Sequence, residues 1–178
     1  ELNLEFLTNE NQSLKKVLSA ENISNVSNLV LSKVLVDRNS PFLKSILINK
    51  GSRAGIKKGM PVTQNKYLVG RVVETNYLSS RVLLLGDLNS RIPVTLGTDG
   101  AQAILAGSGS YHTRLEYLPE GYEIEEGVSV FASGKDGVFF PGTPIGQTND
   151  EGGVKLFVDP NQLSFVTVVL INPTKDKL

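Results

Sequence analysis

The chain has no cysteine and no tryptophan, and only one histidine and one methionine. Without cysteine there is no disulfide, no thiolate nucleophile and no zinc–thiolate centre. A single histidine cannot build an imidazole cluster for a metal. That leaves carboxylates, and no EF-hand alternation of Asp and Asn occurs among them. Charge of one sign is lacking too, since 18 Lys and Arg balance 18 Asp and Glu. A chain without net charge lacks the electrostatic footprint of a nucleic-acid binder. No apolar run reaches the ~18 residues that a membrane span requires. The chain opens inside a helical pattern without an initiating Met, so any membrane anchor is expected upstream of Glu1.

What the chain does have is turn chemistry: 17 Gly and 8 Pro in 178 residues, of which 40% are hydrophobic. That suits one large β domain or two small ones. Residues 1–19 read as a helix with Leu4, Leu7, Asn11, Leu14 and Leu18 at alternating spacings of three and four. These are the a and d positions of a coiled coil, and an Asn at a central a position specifies register and favours two parallel strands. Acids precede Lys15 and Lys16, the order that complements the helix dipole. A Ser- and Asn-rich stretch, taken as a hinge over 20–32, follows the helix.

Beyond it the pattern becomes short β-type runs broken by Gly, Pro, Asn and Asp. Strands are predicted near 33–37, 45–49, 61–64, 68–76, 81–85 and 92–96. A second set is predicted near 101–106, 113–118, 128–132, 144–148, 154–158 and 164–171. An internal repeat relates the two sets. Ile56-Lys-Lys-Gly-Met-Pro-Val62 returns as Ile124-Glu-Glu-Gly-Val-Ser-Val130, and Leu68-Val-Gly-Arg-Val72 echoes in Pro144-Ile-Gly-Gln-Thr148. Val82-Leu-Leu-Leu-Gly-Asp-Leu-Asn89 matches Val154-Lys-Leu-Phe-Val-Asp-Pro-Asn161, and Val94-Thr95 matches Val166-Thr167. Gly70 and Gly146 sit inside strands, where glycine marks a bend or a close approach. Asp87 and Asp159 begin turns in which a carboxylate accepts nearby backbone N–H groups.

The expected fold is therefore all-β with an N-terminal helix: two tandem small β-barrels of about six strands each, preceded by a coiled-coil segment. The first barrel is expected over 33–98, the second over 99–172 and a tail over 173–178. Whether the final strand closes the second barrel or returns to the first stays open.

A double barrel invites a test for a serine-protease triad. His112 begins the second half, and Ala132-Ser133-Gly134 with Asp136 downstream lacks the acidic and glycine context around such a nucleophile. Gly107-Ser-Gly-Ser110 lacks the Lys and helix of a phosphate loop, and the Glu-rich stretch 116–126 reads as a solvated edge. No catalytic, cofactor or metal residue is assigned.

Charge is segregated along the chain. From Arg38 to Arg71 there are eight bases and no acid, and from Leu115 to Gly134 five acids and no base. The repeat sets Lys57-Lys58 against Glu125-Glu126, a pairing suited to contact between lobes or between molecules. Phe139 and Phe140 are adjacent, so one is expected in the core and the other is a candidate docking residue.

Several motifs together resemble the extracytoplasmic part of the MreC family. They are Ser40-Pro-Phe42, Asn49-Lys-Gly-Ser52, Gly55-Ile-Lys-Lys-Gly-Met-Pro-Val62, Val69-Gly-Arg-Val72, Asn89-Ser-Arg-Ile-Pro-Val94, and Ser133-Gly134 followed by Phe140-Pro141-Gly142. Lys66-Tyr67 departs from the family, which often carries Gly before Leu-Val-Gly. The resemblance implies a single-pass protein of the cytoplasmic membrane whose barrels face the cell-wall side. It implies a non-catalytic scaffold of the elongation machinery that binds itself, a class B penicillin-binding transpeptidase and MreD. The competing reading is a degenerate or cryptic hydrolase on a trypsin-like double barrel.

Overall fold

The computed structural model describes residues 2–22, 26–39, 44–109 and 112–171, without side chains 13–28, 36–39 and 171. The side chains of Leu14 and Leu18, the motif Ser40-Pro-Phe42, Ser110 and the tail 173–178 lie outside the described residues.

Helix α1 (Leu2–Asn22) leads into β1 (Val26–Asn39), β2 (Lys44–Ile48), β3 (Pro61–Gln64), β4 (Tyr67–Thr75), β5 (Ser80–Leu84) and β6 (Arg91–Leu96). The second set is β7 (Ala101–Gly107), β8 (Thr113–Glu116), β9 (Ser129–Ala132), β10 (Pro144–Thr148), β11 (Gly153–Leu156) and β12 (Phe165–Ile171). Two closed antiparallel barrels result. Around the first the order is β1-β12-β3-β4-β5-β2, and around the second β10-β11-β8-β7-β6-β9.

The repeat is carried by this topology. Replacing each strand of the first set by the one six places later converts the first ring into the second. The registers agree as well: β12 pairs with β3 at Thr167↔Thr63 and Val168↔Val62, and β6 pairs with β9 at Thr95↔Phe131 and Leu96↔Val130. Each half thus donates its sixth strand to the other half's barrel.

One expected boundary is corrected by this exchange, and the open placement of the last strand is decided. Strand β6, expected in the first barrel, belongs to the second. The stretch taken as a boundary, Gly97-Thr-Asp-Gly100, is a hairpin turn with Gly97 at φ 57° and Gly100 at φ 70°, and so short a loop forces β6 to pair with β7. The final strand returns to the first barrel, between β1 and β3. The hinge expected over 20–32 is also shorter, because α1 runs to Asn22 and β1 starts at Val26. Its polar composition was overridden by a distant partner, since Val26–Lys33 pairs with β12.

The cores follow the alternation of the strands. In the first barrel Ile46, Ile48, Val62, Val72 and Val82 meet Val166 and Val168 of the returning strand. In the second, Val94 and Leu96 of β6 meet Leu105, Val130, Ile145 and Val154. Each such side chain contributes about 1.5–3 kcal/mol on burial, so the received strand supplies several of these contributions to each core. Leu68 and Leu85 of the first half also enter the second core, sealing the junction between barrels.

Candidate functional site

The sequence-derived candidates fall into surfaces rather than a pocket. On α1, Leu4 is 72% and Leu7 55% exposed, and Leu2 and Phe6 are exposed beside them. Asn11 is exposed as well. This apolar face does not pack on the barrels.

Lys57-Lys58 and Glu125-Glu126 occupy equivalent loops. The Gly59 N–H donates to the Val72 carbonyl at 2.7 Å, and the Gly127 N–H to the Thr148 carbonyl at 2.9 Å. In the second copy the Thr148 hydroxyl donates to the Glu125 carbonyl at 2.5 Å and accepts the Val128 N–H at 2.9 Å. All four charged side chains are exposed. The same hairpin end therefore carries opposite charge in the two barrels.

Topology decides where these loops lie. The crossovers 85–90 and 157–164 join β5 to β6 and β11 to β12, so they define the adjoining ends of the two barrels. Because neighbouring strands alternate in direction, loops 49–60 and 76–79 lie at the far end of the first barrel. Loops 97–100, 117–128 and 149–152 lie at the far end of the second. Tyr122 belongs to that second end. Its hydroxyl ionises above its ordinary value because of burial, with the Asp99 and Glu125 carboxylates adding to the effect.

The two phenylalanines differ in burial, and both lie in the loop between β9 and β10 rather than in a strand. Phe139 is 5% exposed in the second core and is thereby removed as a docking residue. Phe140 is half-buried, and its carbonyl accepts the Thr143 N–H at 3.2 Å. Around the tested triad, Asp136 accepts the Val138 N–H at 3.1 Å and Ser133 the Lys135 N–H at 3.3 Å, both local turn bonds. No group of three His, Asp or Glu fit for a metal occurs among the described residues.

A buried carboxylate escaped the sequence reading in part. Asp87, expected as a turn former, does accept the Asn89 N–H at 2.8 Å. It also accepts the Lys44 N–H of β2 at 2.7 Å and is fully buried. That second bond ties the crossover to the first barrel, and only the fold reveals it.

Residues 34–170 match the family described as rod shape-determining protein MreC, barrel core. The chain belongs to the MreC family. It is 37% identical over 146 residues to the cell shape-determining protein MreC of Caulobacter vibrioides, covering 80% of this chain and 42% of that protein. With the MreC of Cereibacter sphaeroides it shares 38% over 144 residues, covering 79% of this chain and 48% of the relative. The chain thus spans less than half the length of these relatives. Among solved structures, MreC from Pseudomonas aeruginosa superposes with a TM-score of 0.74 at 29% identity, covering 80% of this chain and 99% of that one. A Listeria monocytogenes MreC reaches 0.76 at 28% identity, covering 94% and 90%. The MreC of Helicobacter pylori, solved in complex with the penicillin-binding protein PBP2, shares the fold at a TM-score of 0.58 and 14% identity, over 80% of this chain and 99% of that one. In MreC terms the strand exchange lies inside the matched barrel core. No helix among the described residues is long and apolar enough to cross a membrane.

Proposed function

We propose that this chain is the barrel-bearing part of a non-catalytic scaffold of the bacterial cell-elongation machinery, organising peptidoglycan synthesis to maintain rod shape. The observation that carries this reading is the family match over residues 34–170, which takes in nearly all of both barrels. In this reading the barrels sit on the cell-wall side of the cytoplasmic membrane, tethered by a single membrane span. They hold a class B penicillin-binding transpeptidase and the membrane protein MreD. The PBP2 complex of the Helicobacter pylori relative supports a transpeptidase partner on this fold.

Self-association begins at α1. Its exposed Leu4 and Leu7, with Asn11 at the next a position, suit a parallel pair of helices. A helix of this length is marginal alone in water, so pairing is what holds it. Leu4→Ser with Leu7→Ser should leave the barrels folded and the helix unpaired, read by sedimentation.

The scaffold reading is tested by grafting residues 26–171 in place of the matching region of the Caulobacter vibrioides relative in cells depleted of their own copy. Restored cell shape and co-purification of the transpeptidase support it. Round cells with normal protein levels sink it. His112→Ala and Ser133→Ala should be silent in the same cells, and their loss of shape would revive the hydrolase reading.

A further inference from the structure

At the far end of the first barrel, loops 49–60 and 76–79 contain Lys50, Arg53, Lys57 and Lys58, all exposed, and no acid. Glu74, where β4 runs into the second of these loops, is engaged by Arg81 at 3.3 Å. At the far end of the second barrel, loops 97–100, 117–128 and 149–152 contain seven acids, all exposed, and no base. The chain carries no net charge, yet its loops make it a dipole with the positive pole at the mouth of the first barrel.

The basic end carries an apolar tip. Tyr77 is 65% and Leu78 59% exposed, side by side in a turn that the Asn76 N–H closes on the Ser79 carbonyl at 2.8 Å. The Ser52 N–H donates to the Asn76 carbonyl at 2.8 Å and the Arg53 N–H to the Tyr77 carbonyl at 3.1 Å. Gly51 lies so close to this turn that a Cβ would overlap the Asn76 carbonyl oxygen. The two loops are thus one platform, with Lys50, Arg53, Tyr77 and Leu78 around an open depression of about 360 Å³. Helix α1 enters at this end as well. Strand β12 leaves the junction at Phe165 and reaches Val26 of β1 with Ile171, so β1 begins away from the junction.

We propose that this end of the first barrel docks on the surface of an anionic lipid bilayer. The four cations meet the headgroups, and the depression admits one headgroup beside Lys50 and Arg53. Leu78 enters the acyl boundary, and Tyr77 keeps its hydroxyl at headgroup level. The arrangement favours a lipid surface over an acidic protein. A Tyr-Leu tip ringed by cations matches an interface that is charged outside and apolar within. The dipole orients the chain the same way, since the surface that attracts the four cations repels the seven acids. A tether reaching the barrels through α1 presents this end to the membrane. Each cation close to an anionic surface strengthens binding roughly fivefold, so four together hold a reversible contact that one cannot. The inference rests on the scaffold reading for bringing a membrane within reach, not for its test.

The chain has no tryptophan, so Leu78→Trp sets a single fluorescent reporter at the tip, and Tyr117→Trp sets one at the acidic end. The vesicles are phosphatidylcholine with about a third anionic phosphatidylglycerol. Titrated with them, the Leu78→Trp chain should shift its emission to the blue, and the Tyr117→Trp chain should not. The parent should sediment with these vesicles and stay free of pure phosphatidylcholine. About 1 M salt should release it, because the Debye length there is about 3 Å. Lys57→Glu with Lys58→Glu should weaken binding at least about thirtyfold while unfolding at the parent's temperature. Glu125→Lys with Glu126→Lys should not weaken it. A parent that ignores the anionic vesicles, binds neutral ones equally, or keeps its affinity after Lys57→Glu and Lys58→Glu overturns the proposal. So does an unshifted Leu78→Trp emission. Binding of polyglutamate without binding of the vesicles also overturns it, and assigns this end to an acidic protein. The scaffold reading is untouched by such failures, since it is scored by cell shape and the transpeptidase.

Discussion

Gly70 and Gly146 hold the same place in the two barrels. Gly70 lies against the Leu83 carbonyl oxygen and Gly146 against that of Lys155, and in each case a Cβ would overlap that oxygen. Both also oppose the third β strand of their repeat, at Val62↔Gly70 and Val130↔Gly146. The register slips beside each pair, so the same bend closes both rings.

Gly70→Ala and Gly146→Ala should therefore behave alike. The obstruction is backbone rather than a flexible side-chain end, so each should lose about 1–3 kcal/mol or more to overpacking. Chemical denaturation of both variants checks this, and a loss at only one site would break the equivalence.

The exchanged strands make the barrels one folding unit. Ile48→Ala empties a site in the first core and Leu96→Ala one in the second. Each should cost about 2–5 kcal/mol and lower a single transition, seen at the same temperature by far-ultraviolet dichroism and tyrosine fluorescence. Two separate transitions would show that the barrels melt independently.

Lys66 should be improvable. Asn65 and Lys66 form the two-residue turn between β3 and β4 with φ of 51° and 73°, the geometry of a type I′ hairpin that favours Gly at its second position. Lys66→Gly removes a left-handed strain of about 1 kcal/mol and should raise the midpoint of unfolding. An unchanged or lowered midpoint would contradict the strain.

Tyr122 reports on the acidic end. Burial first, then Asp99 and Glu125, favours its neutral form, so its folded ionisation lies above the ordinary 10.0. The stability linked to it is complete below that ordinary value and is lost as pH rises through the raised one. Glu125→Lys should shift its titration, followed by the Tyr122 ring resonances, to lower pH. No shift would mean the loop does not hold these groups together.

Much of this protein could be read from the sequence alone because its signals are local. Alternation and turn residues located all twelve strands, since side-chain period and turn chemistry act over a few residues. The repeat followed from Ile56–Val62 and Ile124–Val130, and the charge reversal from Lys57-Lys58 against Glu125-Glu126. That one of the adjacent Phe139 and Phe140 enters the core was expected, but the structure sets both in a loop, and burial alone shows that it is Phe139. What tertiary structure alone decided was pairing between strands far apart in the chain. Val166-Thr167 and Val94-Thr95 carry the same local pattern, and nothing in either says which barrel it completes. That choice is made by a four-residue hairpin binding β6 to β7, and by the vacancy this leaves between β1 and β3. Asp87 reaches Lys44, 43 residues away, only once the crossover is in place. Gathering the charges at opposite far ends likewise required ring closure, because strand direction around a closed barrel determines which loops share an end.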